Sequence, residues 1–238
     1  MNAQNRKEAR LRKAVRSAWC VSDGTTGMRQ QSLAVAAVMK WDRCADFRDI
    51  VITPHPLLRH APRIGRWWPR LPLTQAGDAS LPRISNADDF PQILVTCGRR
   101  MAGISMALKA RAKQQGAQLT TIHLQDPRLD PAYFDILIVP HHDPARGDNV
   151  IVTTAALNRL DQSHIADAAT HLPKSWQAAA KPRVVVLVGG DNRRYRISEK
   201  MAADLASRLH HFAKANDASR FLVPSRRCPD RVWQRLQS

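Results

Sequence analysis

Glycine or arginine, and in two places both, recurs in this sequence where a short apolar run gives way to a polar turn. Asp23–Gly24 and Gly27 follow the run Ala18–Val21, and Gly98–Arg99–Arg100 follow Ile93–Cys97. Gln125, Asp126 and Arg128 follow Leu119–Leu124. Gly189–Gly190, with Arg193, Arg194, Tyr195 and Arg196 behind them, follow Val184–Val188, and Ser225–Arg226–Arg227 follow Phe221–Val223. The chemistry these types share is anion binding. Glycine lets the backbone come close to a ligand, and a helix N-terminus offers free N–H groups and a positive dipole end. Arginine adds a planar fork that matches phosphate or carboxylate oxygens. Together they suit a diphosphate such as that of a nucleotide-sugar. Helix ends and arginines can carry that charge, so no metal is required and no cofactor is expected.

The same turns hold the acid–base candidates. Asp23 closes the first run, and His123 and Asp126 lie around the end of another, within reach of an acid–base pairing. His141–His142–Asp143 has the side chains for a metal ligand set or a base, but adjacent side chains point different ways, which favours a polar loop. Other chemistries are excluded. There is no GxxxxGK[ST] segment, and Gly24 to Gly27 does not make GxGxxG with a ribose-reading acid behind it. The four cysteines, Cys20, Cys44, Cys97 and Cys228, show no zinc spacing and no disulfide framework, which fits a reducing compartment.

For these turns to act together, the runs before them must be neighbouring parallel strands. Helical spacing between the runs supports this: Leu33, Ala36 and Ala37 in 28–39 with Lys40 just after it, then Met101, Ile104 and Leu108 opposite Lys109 and Lys113. Ile136–Val139 and Val150–Thr153 read as further strands. Strands alternating with helices predict an α/β fold with a parallel sheet covered on both faces, binding ligands outside its carboxyl ends. A seam at 171–182 separates a first domain, 18–175, from a second that starts at 182 and runs to 238. In the second, Ser198 can cap a helix whose expected core face is Met201, Leu205, Leu209 and Phe212. Between Trp41 and Asp89 prolines break every periodicity. Within that stretch Arg59–Arg70 carries four arginines, one histidine and Trp67–Trp68 with no acid. Such a segment suits a membrane interface, or else packs on the domain as a flap.

Composition bounds the partners. With 238 residues, 44% of them hydrophobic, the protein is able to build a sizeable core, and its formal charge of +17 favours anionic partners. These are phosphorylated ligands, acidic lipid or nucleic acid, and no nucleic-acid motif supports the last. The first 17 residues form a basic tail, with Glu8 as its one acid. No apolar run reaches the roughly 20 residues of a membrane span, and no apolar core of a signal peptide follows the basic start. The expected location is cytoplasmic, peripheral on the inner face of a membrane.

Taken together, the motifs resemble those of the mitochondrial-fission "elongated mitochondria" family. They are Val21–Gly24 with Gly27–Met28 and Gln30–Gln31, Cys97–Arg100, His123–Arg128, Phe134–Asp135, Val139–Pro140, His142–Asp143, Gly147, Asn149–Val150, Thr153–Thr154, Ala156–Leu157, Gly189–Gly190 with Tyr195–Arg196, and Pro224–Arg227. The match runs from about Ser17 to Arg227. The resemblance implies a GT-B-like fold of two Rossmann-like halves with a cleft between them, and a sugar-transfer activity. Donor phosphates would meet Gly189–Gly190 and Arg226–Arg227, while Asp23, Arg99–Arg100 and Asp126 would face the acceptor. Members usually continue well past the Arg226–Arg227 loop, so the second domain is expected to be incomplete and the protein truncated at its C-terminal end. A relic of the enzyme and a non-catalytic adaptor for a protein or anionic membrane both fit that expectation. The oligomeric state is not legible.

Overall fold

Strand β1 (Ser17–Ser22) is buried on both faces, because its side chains alternate between two layers of helix. A computed structural model describes residues 15–68, 70–192 and 194–237. Most of the basic tail, and Arg193, therefore lie outside the described residues. Helix α1 (Thr26–Val38) sets Val35 and Ala36 against Ala18 and Cys20, together with Val95 and Cys97 of β3 (Ile93–Cys97). Helix α4 (Arg99–Gln114) covers the other face, setting Met101, Ile104 and Leu108 against Trp19, Val21 and Leu94. Side chains such as Leu94 and Ile104, fully buried, each stabilise the fold by roughly 1.5–3 kcal/mol relative to exposure.

The sheet continues through β4 (Thr120–Leu124), β5 (Ile136–Pro140) and β6 (Val150–Thr153), and its other edge is β2 (Asp46–Val51). The order is β2-β1-β3-β4-β5-β6 and every pair is parallel. This is an α/β protein with a Rossmann-like parallel sheet. Strand β2 is absent from the sequence reading: Asp46, Arg48 and Asp49 hide its period, as charge does on many edge strands. Two short helices, α2 (Pro56–His60) and α3 (Ile64–Trp67), occupy the proline-broken stretch and pack on α4. The expected alternation of strand and helix stops after β4. Residues 125–135 carry Pro127 and Pro131 and form only a 3-10 turn, Pro131–Tyr133, so that half of the sheet is less covered and Ile151 stays exposed.

Not all the sequence motifs lie at the carboxyl edge. Asp135 sits at the opposite edge, accepting from the Thr121 N–H and hydroxyl at 2.8 Å each and from Lys109 at 2.7 Å. Burial pushes its carboxyl up, but those bonds hold it below the usual carboxylate range. Asn149 likewise donates to the Pro131 and Phe134 carbonyls, fixing the crossover into β5.

The protein divides into two compact units, Met1–Asp161 and Gln162–Ser238. The division falls ahead of the seam read at 171–182. That stretch instead holds α6 (Lys174–Ala178), after α5 (Gln162–Thr170), both in the second unit. Here β7 (Arg183–Val188) and β8 (Ser219–Pro224) pair in parallel, with α7 (Glu199–Ala215) between them and α8 (Asp230–Gln237) after. Ser198 caps α7 by accepting from the Met201 N–H at 3.1 Å. The expected core face of α7 is wrong by one position. Ala202 and Ala206 pack against Val188, Val232 and Leu236, whereas Met201 and Phe212 are exposed. Small alanines let the helix lie close to a sheet only two strands wide.

Candidate anion-binding site

The sheet order reverses between β1 and β3, whose crossovers leave over opposite faces, and open parallel sheets take their ligands at such a point. The turn after β1 is built by Asp23. Its Oδ1 accepts the Thr25 N–H at 3.1 Å, and Gly24 donates to Ser22 Oγ at 3.4 Å. Gly24 has φ +75°, in the region that favours glycine. Gly98, after β3, has φ +82°, and a Cβ there would press on the Met28 sulfur. The two turns meet through side chains: Arg100 Nη1 lies 3.3 Å from Asp23 Oδ2. Burial works to raise the Asp23 carboxyl, yet the Thr25 hydrogen bonds and the Arg100 guanidinium outweigh it and hold it below the ordinary value.

Two helix N-termini open at this place. Neither Thr25 nor Gly98 places a side chain on the first-turn N–H groups, and neither first turn carries an acid. Met28 and Met101 donate to the Thr25 and Gly98 carbonyls at 3.0 Å each, which leaves the N–H groups of the first two helical positions and the positive dipole ends for a ligand anion. Arg99 and Arg100 are both exposed beside them, and Gly27 is open to solvent on α1. The first unit can therefore hold a phosphate or carboxylate between backbone donors and two guanidinium groups.

The loop after β4 stands next to this turn. Gln125 and Arg128 adopt φ +67° and +56°, a conformation side chains seldom take outside constrained loops. Asp126 is a turn former: its Oδ1 accepts the Arg128 N–H at 2.6 Å, and its own N–H donates to Asp143 Oδ2 at 3.1 Å. The role of Asp143 in tying the β4 and β5 loops escaped the sequence, where it read only as part of a polar loop. Thr25 escaped too, although an aspartate two residues before it is the signature of an Asx turn.

His123 does not pair with Asp126. It points into the core from the middle of β4, fully buried, stacked on Phe134 at 4.6 Å and bonded through Nδ1 to the Thr96 hydroxyl at 2.8 Å. Burial pushes its pKa down to about 3, and its Nε2 has no partner among the described residues. The periodicity of the strand, in which Ile122 and Leu124 take one face and His123 the other, accounts for this placement. His123 is thus removed from solvent and from any substrate at the loops.

The second unit also brings glycine and arginine together after its strands, but its helix α7 is capped by Ser198 and carries Glu199 in the first turn. The loops after β7 and β8 adjoin, since Ser225 donates to the Val188 carbonyl at 2.8 Å and Asp191 to that of Arg227 at 3.2 Å. Gly190 is required there, because a Cβ would collide with the Arg227 carbonyl. Asn192 Oδ1 accepts from the N–H groups of Arg194 and Tyr195, while Asp191 receives Arg231 at 3.3 Å. Tyr195, Arg196, Ser225, Arg226 and Arg227 are all exposed around Gly189. Among the described residues, no three His, Cys, Asp or Glu side groups come together to hold a metal ion. No helix among them is long and apolar enough to cross a membrane.

Comparison with known proteins gives a consistent family. The model of the family described as Mitochondrial fission ELM1 matches residues 26–238. The mitochondrial fission protein ELM1 of Arabidopsis thaliana is 26% identical over 157 residues, covering 56% of this chain and 36% of that protein. The uncharacterized protein RP120 of Rickettsia prowazekii is 25% identical over 248 residues, covering 90% of this chain and 65% of that one. The sequence thus spans 36% and 65% of the lengths of these curated relatives. A solved co-structure of S. aureus MnaA with UDP aligns with a TM-score of 0.42 at 11% identity, over 93% of this chain and 65% of that one.

Proposed function

This chain belongs to the mitochondrial fission ELM1 family, and from that premise we propose that it is a GT-B-type glycosyltransferase that binds a nucleotide-sugar and works in the cytoplasm at a membrane surface. The observation that carries the reading is the meeting of two open helix N-termini with Arg99 and Arg100 where the sheet order reverses. We assign the donor's diphosphate to the second unit, at Gly189–Gly190 and Arg226–Arg227. There backbone donors and guanidinium groups stabilise the charge that gathers on the departing nucleoside diphosphate as the bond to the sugar breaks. The acceptor is assigned to the first unit, at Asp23, Gly24 and Arg99–Arg100.

A second reading, a non-catalytic adaptor for a protein or an anionic surface, is favoured by one observation. Asp23 is engaged by Thr25 and Arg100, and His123 is buried, so neither stands ready as a base.

Thermal denaturation with a panel of nucleotide-sugars separates the two readings. A ligand held at a hundred times its Kd stabilises by about 2.7 kcal/mol. One class of nucleotide-sugar should raise the Tm, and Arg226→Ala and Arg99→Ala should each diminish the rise while leaving the fold intact. No rise with any member of the panel overturns the glycosyltransferase and leaves the adaptor.

A further inference from the structure

A cavity of about 670 Å³ lies along the later turns of α4, lined by Arg66, Lys109, Lys113 and Tyr133 among others. The candidate anion site is at the first turn of the same helix, so this is a separate place. Arg66 of helix α3 stands at one side of it, and α2 and α3 both pack on α4. Leu58 is fully buried, and Gly65 and Gly103 lack the Cβ atoms that would meet the backbone of the opposing helix. With that side turned inward, the other must face out. Trp67 is 78% exposed and Trp68 58%. The flap is packed, but its tryptophan pair is not.

Arg66 joins the exposed pair to the cavity. Its guanidinium lies over the Trp67 ring at 5.6 Å and over the Tyr133 ring at 5.3 Å. The acids nearby are engaged: Asp135 pairs with Lys109 at 2.7 Å, and Asp130 accepts the Ala132 N–H at 3.0 Å. From Pro54 to Gln75 the sequence carries four arginines and no acid. Two adjacent exposed indoles are unfavourable in water, yet they are the side chains that settle at the headgroup level of a bilayer.

We propose that this face docks on an anionic phospholipid bilayer. Trp67 and Trp68 enter the headgroup boundary, while Arg66 and Lys113 at the cavity accept lipid phosphate. The aromatic pair supplies the apolar anchor and the cations supply selectivity for acidic lipid. The proposal deepens the reading that the protein works at a membrane surface, and rests on that part of it alone.

The test is co-sedimentation of the full-length protein with phosphatidylcholine vesicles, with and without phosphatidylglycerol, beside quenching of tryptophan fluorescence by lipids brominated in their acyl tails. A protein of charge +17 is drawn to any acidic surface, so the tryptophan-dependent part decides. Trp67→Ala with Trp68→Ala should weaken vesicle binding about tenfold or more and remove most of the quenching. Arg66→Ala and Lys113→Ala should lower the preference for phosphatidylglycerol. Binding as tight in the double tryptophan variant as in the parent overturns the proposal. So does displacement by soluble glycerol phosphate with no dependence on the tryptophans, which makes the cavity a site for a free phosphate ester. These side chains are exposed, and the variants should melt like the parent. An unaltered response to nucleotide-sugars in them keeps this result distinct from the fate of the donor site.

Discussion

Arg100 reaches from the first turn of α4 to Asp23 at the end of β1, 77 residues away in sequence, and the two side chains lie 3.3 Å apart. The pair spans the point where the sheet order reverses. It therefore occupies the ground where an anion would sit, with a carboxylate standing in for a ligand's own negative charge. A bound phosphate would compete with Asp23 for the guanidinium and, on winning it, push the Asp23 carboxyl upward, by taking its cation and by setting a second anion beside it.

Arg100→Ala should test that competition. With Arg100 57% exposed in its side chain, its loss should cost no more than about 1 kcal/mol of stability, but the Asp23 carboxyl should titrate closer to the ordinary aspartate value. Asp23 has a folded pKa below 3.8, so its contribution is present above that value and lost as pH falls through the folded pKa. Asp23→Ala should cost about 1 kcal/mol, since the Thr25 N–H loses its acceptor. Carbon-detected titration of the carboxyls checks the first claim and urea denaturation the second. An Asp23 titration indifferent to Arg100 removes the electrostatic link.

Gly190→Ala should disturb the second unit more than any exposed substitution around it. A Cβ at Gly190 meets the carbonyl of Arg227, and either the β7 loop or the β8 loop must move. Loss of the Asp191 to Arg227 bond should follow, at about 1 kcal/mol together with backbone strain. Hydrogen exchange should show faster opening at 189–192 and 225–228, with the first unit unaffected. Equal protection in the variant would mean that the loops do not depend on this close approach.

What the sequence revealed, and what it hid, follows from burial. Strands β1, β3 and β7 were legible because both faces or one continuous face are apolar and the turns behind them carry glycine, and β4 from its apolar run alone. Strand β2 was not, since an edge strand displays charge where a central strand cannot. The inward direction of His123 follows from the two-residue period of β4, in which Ile122 and Leu124 take the opposite face. The face of α7 was misread because alanines, the residues able to approach a narrow sheet, carry less apolar weight than the methionine and phenylalanine beside them. The meeting of Asp23 with Arg100 required the strand order, which no local pattern contains.

His123 gives the last prediction, through the pH dependence of stability. Its folded pKa is about 3, whereas an unfolded histidine titrates near 6.5. As pH falls below 6.5 the unfolded state takes up a proton that the folded state refuses, so stability falls. Once well below 6.5, the slope from this one group approaches about 1.4 kcal/mol per pH unit, until the folded pKa is reached. Above 6.5 it contributes nothing. His123→Leu should therefore flatten the decline between about pH 6 and 4, well inside that window. The variant should be less stable at neutral pH by about 1–3 kcal/mol, because the Thr96 hydroxyl bonded to Nδ1 is left in the core without a partner. Adding Thr96→Val should restore part of that loss and leave the flattened profile in place. Urea midpoints of the variants and the parent across this range decide the matter. A parent whose stability is level from pH 6 to 5, or a His123→Leu variant with the parent's slope, would show that the imidazole reaches solvent after all, and would return it to the candidates at the loop edge.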